Sequence, residues 1–139
     1  MKLHFLTLVT SLLLLRPAVV YAGEEVLIIG HSALPKTDKL TVQRLYTGRA
    51  VSIGQQQVLP INLPTGNPVR DDFLLTCMEQ SEEQYTGYWL VRRYVGKGAP
   101  PQEMGSVDEV IKYVQATPGA IGYAPASKVP RGANVIFRR

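Results

Sequence analysis

The stretch Ser106-Val107-Asp108-Glu109-Val110-Ile111-Lys112-Tyr113-Val114, followed closely by Thr117-Pro118-Gly119-Ala120-Ile121-Gly122-Tyr123-Ala124, decides the fold class. Ser106 with Glu109 three residues on makes a capping-box pattern. Val107, Val110, Ile111 and Val114 fall at i, i+3, i+4 and i+7, so the segment predicts a helix that turns one apolar stripe to a core. Thr117-Pro118-Gly119 breaks that helix and turns the chain, and Ala120 to Ala124 then reads as a strand. A helix delivered straight into an apolar strand belongs to a layered α/β structure.

Working outward, Val26-Leu27-Ile28-Ile29-Gly30 is a continuous apolar run bounded by acidic residues and glycine, which predicts a strand buried on both faces. Thr37 or Asp38 caps a short helix carrying Leu40, Leu45 and Tyr46, and Thr47-Gly48 ends it. Ala50 to Ile53 and Val58 to Asn62 predict strands joined around Gly54-Gln55. Asn67-Pro68, with Asp71 and Asp72 in the first turns, starts a helix that runs to about Met78. Ser81 with Gln84 caps another, with Tyr85, Tyr88, Trp89 and Val95 on its apolar face before Gly96 and Gly98. A last strand lies near Asn134 to Phe137. Strands interleaved with helices predict a mixed sheet flanked by helices, with Ala99-Pro100-Pro101 as a rigid loop between two of them.

The first 22 residues stand apart from this pattern. Lys2 precedes an apolar run from Leu6 to Leu15, and Val20-Tyr21-Ala22 presents a cleavage site, so residues 1–22 predict a secretory signal and residues 23–139 one domain. Arg16 ends the apolar run short of the ~20 residues a membrane span needs, so no span is expected after cleavage. The leader takes Lys2 and Arg16 with it, which leaves 13 of the 15 basic residues against 11 acidic ones, a net charge of +2. With no basic run longer than a pair, nucleic acid is not an expected partner.

Chemistry-bearing residues are few. Cys77 is the single cysteine, which excludes an internal disulfide and a multi-cysteine metal site, and His31 is the one histidine left after cleavage. No nucleophile-elbow or phosphate-loop sequence occurs, so the chain reads as a non-enzyme without cofactor or metal. Tyr85, Tyr88, Trp89 and Tyr94 read as core rather than as a stacking platform, and Cys77 as a small buried hydrophobe. Ligands of open α/β sheets collect where strands end and helix N-termini point N–H groups outward. On that rule the candidate ligand-binding residues are Thr65, Gly66, Asn67, Val69 and Arg70, with Ser32 added from the end of the first strand. The competing reading is structural: Asn67 caps the helix unaided, and Arg70 pairs on the surface with Asp71 or Asp72.

The order of segments resembles a known family. Leu45-Tyr46-Thr47-Gly48-Arg49, Val58-Leu59-Pro60-Ile61-Asn62, Val69-Arg70-Asp71-Asp72-Phe73, Tyr88-Trp89, Gly96-Lys97-Gly98-Ala99-Pro100-Pro101 and Thr117-Pro118-Gly119-Ala120-Ile121-Gly122-Tyr123 resemble small, single-lobe relatives of the phosphate-binding proteins of ABC uptake systems. The resemblance implies one lobe of a type II periplasmic-binding-protein fold. Where the two-lobed proteins hold phosphate with Arg, Asp and a Ser-Gly-Thr run, this chain has Leu63-Pro64-Thr65-Gly66-Asn67-Pro68-Val69-Arg70, with Asn67-Pro68-Val69 in place of Ser-Gly-Thr. The implied function is a periplasmic, substrate-binding-like module for phosphate or a similar small oxyanion. The alternative is a periplasmic interaction or adaptor module that has lost its ligand. Since one lobe offers a ligand one wall, a second copy or a protein partner is the expected source of the other.

Overall fold

A computed structural model describes residues 23–139; the expected leader and its cleavage after Ala22 lie outside the described residues. The elements are β1 (Val26–Gly30), α1 (Lys39–Tyr46), β2 (Ser52–Ile53), β3 (Gln56–Gln57), β4 (Leu59–Asn62), α2 (Pro68–Phe73), α3 (Glu82–Tyr94), β5 (Gln102–Glu103), α4 (Val107–Ala116), β6 (Ala120–Pro125) and β7 (Asn134–Phe137). Five strands form one mixed sheet in the order β5-β4-β6-β1-β7, and β2 and β3 make a separate hairpin. β4 runs parallel to β5 and β6, whereas β1 is antiparallel to both β6 and β7.

β6 lies at the centre, and all six of its residues are buried. Successive side chains on a strand point to opposite faces, and β6 uses the two faces differently. Gly122 faces α4, where a Cβ would meet Val110 Cγ1 at 2.5 Å and Val114 Cγ2 at 3.2 Å. Tyr123 faces the other layer and stacks on Phe73 of α2 with ring centroids 4.0 Å apart, while Tyr46 of α1 meets Phe73 edge-on at 4.8 Å. Helices therefore cover both faces, which is why the apolar runs of β1 and β6 show no alternation. α3 packs outside α1: Tyr85 Oη and Trp89 Nε1 both donate to the carbonyl of Tyr46.

The helix starts follow their caps. Asp38 accepts from Thr41 N–H at 2.7 Å, Asn67 from Val69 N–H at 2.9 Å, and Ser81 and Gln84 close a full capping box. α1 ends as expected, with Gly48 taking φ 68°. The expected helix from Pro68 to Met78 is continuous in extent, but its second half, Leu74–Met78, is a π-helical turn that stops at Glu79 with φ 57°. Two strand boundaries also differ. Ala50 and Val51 stay outside β2, and the hairpin takes Gln56 and Gln57, so that Val58 becomes the joint between hairpin and main sheet. The short strand β5 was hidden to composition, because a two-residue edge strand of Gln and Glu carries no hydrophobic pattern.

Candidate functional site

β4 ends at Asn62, and the turn Leu63 to Asn67 carries the chain into α2. Beside that turn a cleft of about 200 Å³ opens between Thr65 and Arg70 on one side, Tyr85, Trp89 and Leu90 of α3 on another, and Pro100, Pro101 and Glu103 on the third. Each wall has a local cause. The Asn67 cap and Pro68 fix where α2 starts, the capping box fixes the start of α3, and pairing of Glu103 with Asn62 in the β4–β5 register places the third wall.

Beneath the cleft lies a buried polar network. Asn62 Oδ1 accepts from Leu63 N–H at 3.0 Å and from Tyr123 Oη, while Asn62 Nδ2 donates to Tyr85 Oη at 3.4 Å. Tyr46 Oη donates to the carbonyl of Ile61 at 2.9 Å. Burial pushes the Tyr46 and Tyr123 phenols well above their ordinary range and Tyr85 up to about 12, so all three stay neutral donors. Their role is to hold the end of β4 in place.

Arg70 is the centre of the site. Only 4% exposed, it donates from Nε and Nη2 to the two carboxylate oxygens of Glu82, at 2.9 Å and 2.6 Å. Its Nη1 reaches the carbonyl of Leu63 at 2.8 Å and Glu103 Oε1 at 3.1 Å. Its guanidinium carbon stands 5.5 Å from the Tyr85 ring centroid, a cation–π distance. The same Glu82 oxygen also accepts from Thr65 Oγ1 and from Thr86 Oγ1, each at 3.0 Å. Burial pushes the Glu82 carboxyl up, but hydrogen bonds from Arg70 and Thr65 outweigh it and hold the group below its ordinary value. Burial likewise opposes the Arg70 cation, and its bonds to Glu82 more than compensate.

The residues read from the sequence are thus brought together only in part. Thr65, Gly66, Asn67, Val69 and Arg70 share one turn, and Thr65 and Arg70 converge on a single carboxylate. The Val69 N–H is taken by the Asn67 side chain. Ser32 does not join them: Gly30 pairs with Ile121, and Ile121 with Pro60, at the start of β4, so the exposed Ser32 lies at the opposite end of the sheet from the turn. Placing Ser32 at the turn would need β1 to run parallel to β4, and the antiparallel β1–β6 pairing rules that out. The surface pairing expected for Arg70 is also corrected, since its partners are Glu82 and Glu103 rather than the adjacent Asp71 and Asp72, and the group is buried. Sequence reasoning missed Glu82, which sits in the first turn of α3, where an acid is expected on helix-dipole grounds alone.

The remaining candidates are structural. Tyr85 and Trp89 are buried and Cys77 is buried with its thiol pushed up to about 11, but Tyr94 is 92% exposed and is not core. Among the described residues there is no group of three or more metal-ligating side chains, and no helix is long and apolar enough to cross a membrane.

Solved structures share this fold, among them the following two. One is an ABC-type phosphate transport receptor from Vibrio cholerae (TM-score 0.62, 13% identity), and it aligns over 81% of this chain and 45% of its own. The other is a putative phosphate ABC transporter substrate-binding protein with bound phosphate from Clostridium perfringens (TM-score 0.64, 17% identity), over 81% of this chain and 44% of its own. This chain has the fold of a single periplasmic-binding-protein lobe. The lobe spans less than half the length of the structures it matches. No protein-family model and no curated protein matches the sequence. At these identities the likeness establishes the lobe's architecture and leaves its ligand to the chemistry of the site.

Proposed function

We propose that the chain is a non-enzymatic solute-binding lobe, secreted to the periplasm after cleavage at Ala22, that recognises phosphate or a similar small oxyanion at the turn between β4 and α2. The supporting observation is the convergence of Thr65 Oγ1 and two Arg70 nitrogens on one carboxylate: this donor set already holds an oxyanion, supplied by Glu82 of the same chain. The likeness to a phosphate transport receptor and to a substrate-binding protein with bound phosphate points the same way. An incoming anion competes with Glu82 for these donors and is repelled by its charge, so the native site binds weakly.

Calorimetric titration with sodium phosphate, at matched ionic strength, tests this on the native protein and on Glu82→Gln. Weak binding is expected for the native chain. Glu82→Gln keeps the side-chain shape and removes the competing charge, and it should bind about tenfold more tightly, the scale of one charge-assisted hydrogen bond. No heat of binding for phosphate or sulfate with either protein at millimolar concentration removes the reading.

A further inference from the structure

α3 carries two apolar faces, and the fold uses one. Tyr85 and Trp89 are buried against α1, whereas Leu90, Val91 and Tyr94 are 69%, 65% and 92% exposed. With Gly87 these three make a stripe at i, i+3, i+4 and i+7, the spacing of a helix–helix seam, and Val95 extends it. Among the described residues nothing stands within 4 Å of a Cβ built at Gly87, so the stripe has a shallow notch one turn before its bulky end. A continuous exposed row of large apolar side chains on an otherwise polar helix is the mark of an interaction surface.

The charges around the stripe select the occupant. Glu83 sits at its N-terminal end, and Arg93 and Lys97 sit at and just beyond its C-terminal end; none of the three has an ion-pair partner among the described residues. We propose that the stripe is a self-complementary dimer surface, on which α3 of a second copy packs antiparallel about a two-fold axis between Leu90 and Val91. In that register Leu90 lies opposite the partner's Val91, Tyr94 fills the notch at the partner's Gly87, and Glu83 at each end comes to the stretch just beyond the partner's helix, where Lys97 lies. A parallel pairing sets Glu83 beside its own copy and leaves Tyr94 facing Tyr94. A two-fold interface of this kind uses one patch twice, so each favourable contact is made twice. Leu90 and Arg93 also line the cleft beside Arg70, so the second copy gives that cleft a further wall. The inference rests on the α3 surface and stands whether or not the cleft binds an oxyanion.

Sedimentation equilibrium of the purified protein from about 1 to about 100 µM reads the association constant directly. A reversible dimer is expected, weakened about tenfold or more by Tyr94→Glu or Leu90→Arg, changes at exposed positions that leave the unfolding midpoint of the dilute, monomeric protein in place. Glu83→Lys and Lys97→Glu should each weaken it severalfold, and the double exchange should restore it. Orientation is read by oxidative crosslinking, with native Cys77 buried away from the surface. Val91→Cys lies next to the axis and links two chains. Glu83→Cys lies about 11 Å along the helix from the axis in each copy, roughly 22 Å from its mate, and stays unlinked. A monomer at the highest concentration overturns the proposal, as does a dimer indifferent to Tyr94→Glu and Leu90→Arg, or crosslinking through Glu83→Cys. A monomer that binds anionic lipid vesicles through Tyr94 overturns it in favour of a membrane surface.

Discussion

At Arg70 a charge is buried and answered within the chain. Its planar fork meets both oxygens of Glu82, and Nη1 reaches Leu63 and Glu103, so a guanidinium that is 4% exposed has four of its five N–H groups paired among the described residues. Removing it leaves Glu82, 20% exposed, without its cation, and opens a gap under the Tyr85 ring. Arg70→Ala should therefore cost about 2–3 kcal/mol of unfolding free energy, below the range for a fully buried pair because Glu82 keeps some water. A denaturant titration checks this, and a loss under about 1 kcal/mol returns Arg70 to the ordinary surface pair of the sequence reading. The pH dependence follows from Glu82. Its folded-state pKa lies below the ordinary 4.5, so its contribution to stability is present above 4.5 and is lost as pH falls through the lower folded value. Melting temperatures of the native protein should fall from about pH 5 to about pH 3 more steeply than those of Glu82→Gln, and parallel curves would contradict the assignment. None of this was legible in the sequence beyond Arg70 itself, because Glu82 and Glu103 come from a helix start and an edge strand whose approach depends on tertiary folding.

At the scale of elements, the contact between β6 and α4 tolerates little change. Gly122 lets α4 approach until the Val110 methyl occupies the space a Cβ needs, and Val110 is itself buried and branched, with little freedom to move. Gly122→Val should lower stability by about 1–3 kcal/mol through overpacking, with Gly122→Ala between it and the native protein. Thermal unfolding of the three proteins orders them, and an unchanged midpoint for Gly122→Val means α4 can shift away freely. This contact was readable in part: a glycine between Ile121 and Tyr123 in a strand signals close approach of a neighbouring element, but the structure is what identifies that element as α4. The same local signals found α1 to α4, with the caps Asn67, Ser81 and Ser106 named outright and that of α1 left between Thr37 and Asp38. What they could not supply was direction: β1 shows the same apolar run whether it pairs parallel or antiparallel, and that ambiguity placed Ser32 at the wrong end of the sheet. The exposed stripe of α3 escaped for a related reason, since Tyr94 belongs to an aromatic set whose other members reach the core, Tyr85 and Trp89 buried and Tyr88 packed against it.

At the scale of the molecule, what matters is that this lobe covers 45% and 44% of the chains it matches. A site that holds a small ligand tightly encloses about 70–90% of the ligand's surface, whereas the turn at Thr65 opens on solvent and its strongest donors face Glu82. The lobe is also small enough that ligand binding is visible as a thermal shift. A ligand that binds only the folded state adds RT ln(1 + [L]/Kd), so phosphate at about 10 mM with a dissociation constant of about 5 mM contributes about 0.6 kcal/mol. For a domain of this size that corresponds to a rise in melting temperature on the order of 2–3 °C. The expected result is a shift of this size in phosphate over sodium chloride at equal ionic strength, larger in Glu82→Gln, because the freed Arg70 cation then faces the ligand without a competing carboxylate. A rise above about 10 °C for the native protein implies an affinity that one open wall does not provide. It would mean that Glu82 swings aside on binding and that a second surface closes over the turn.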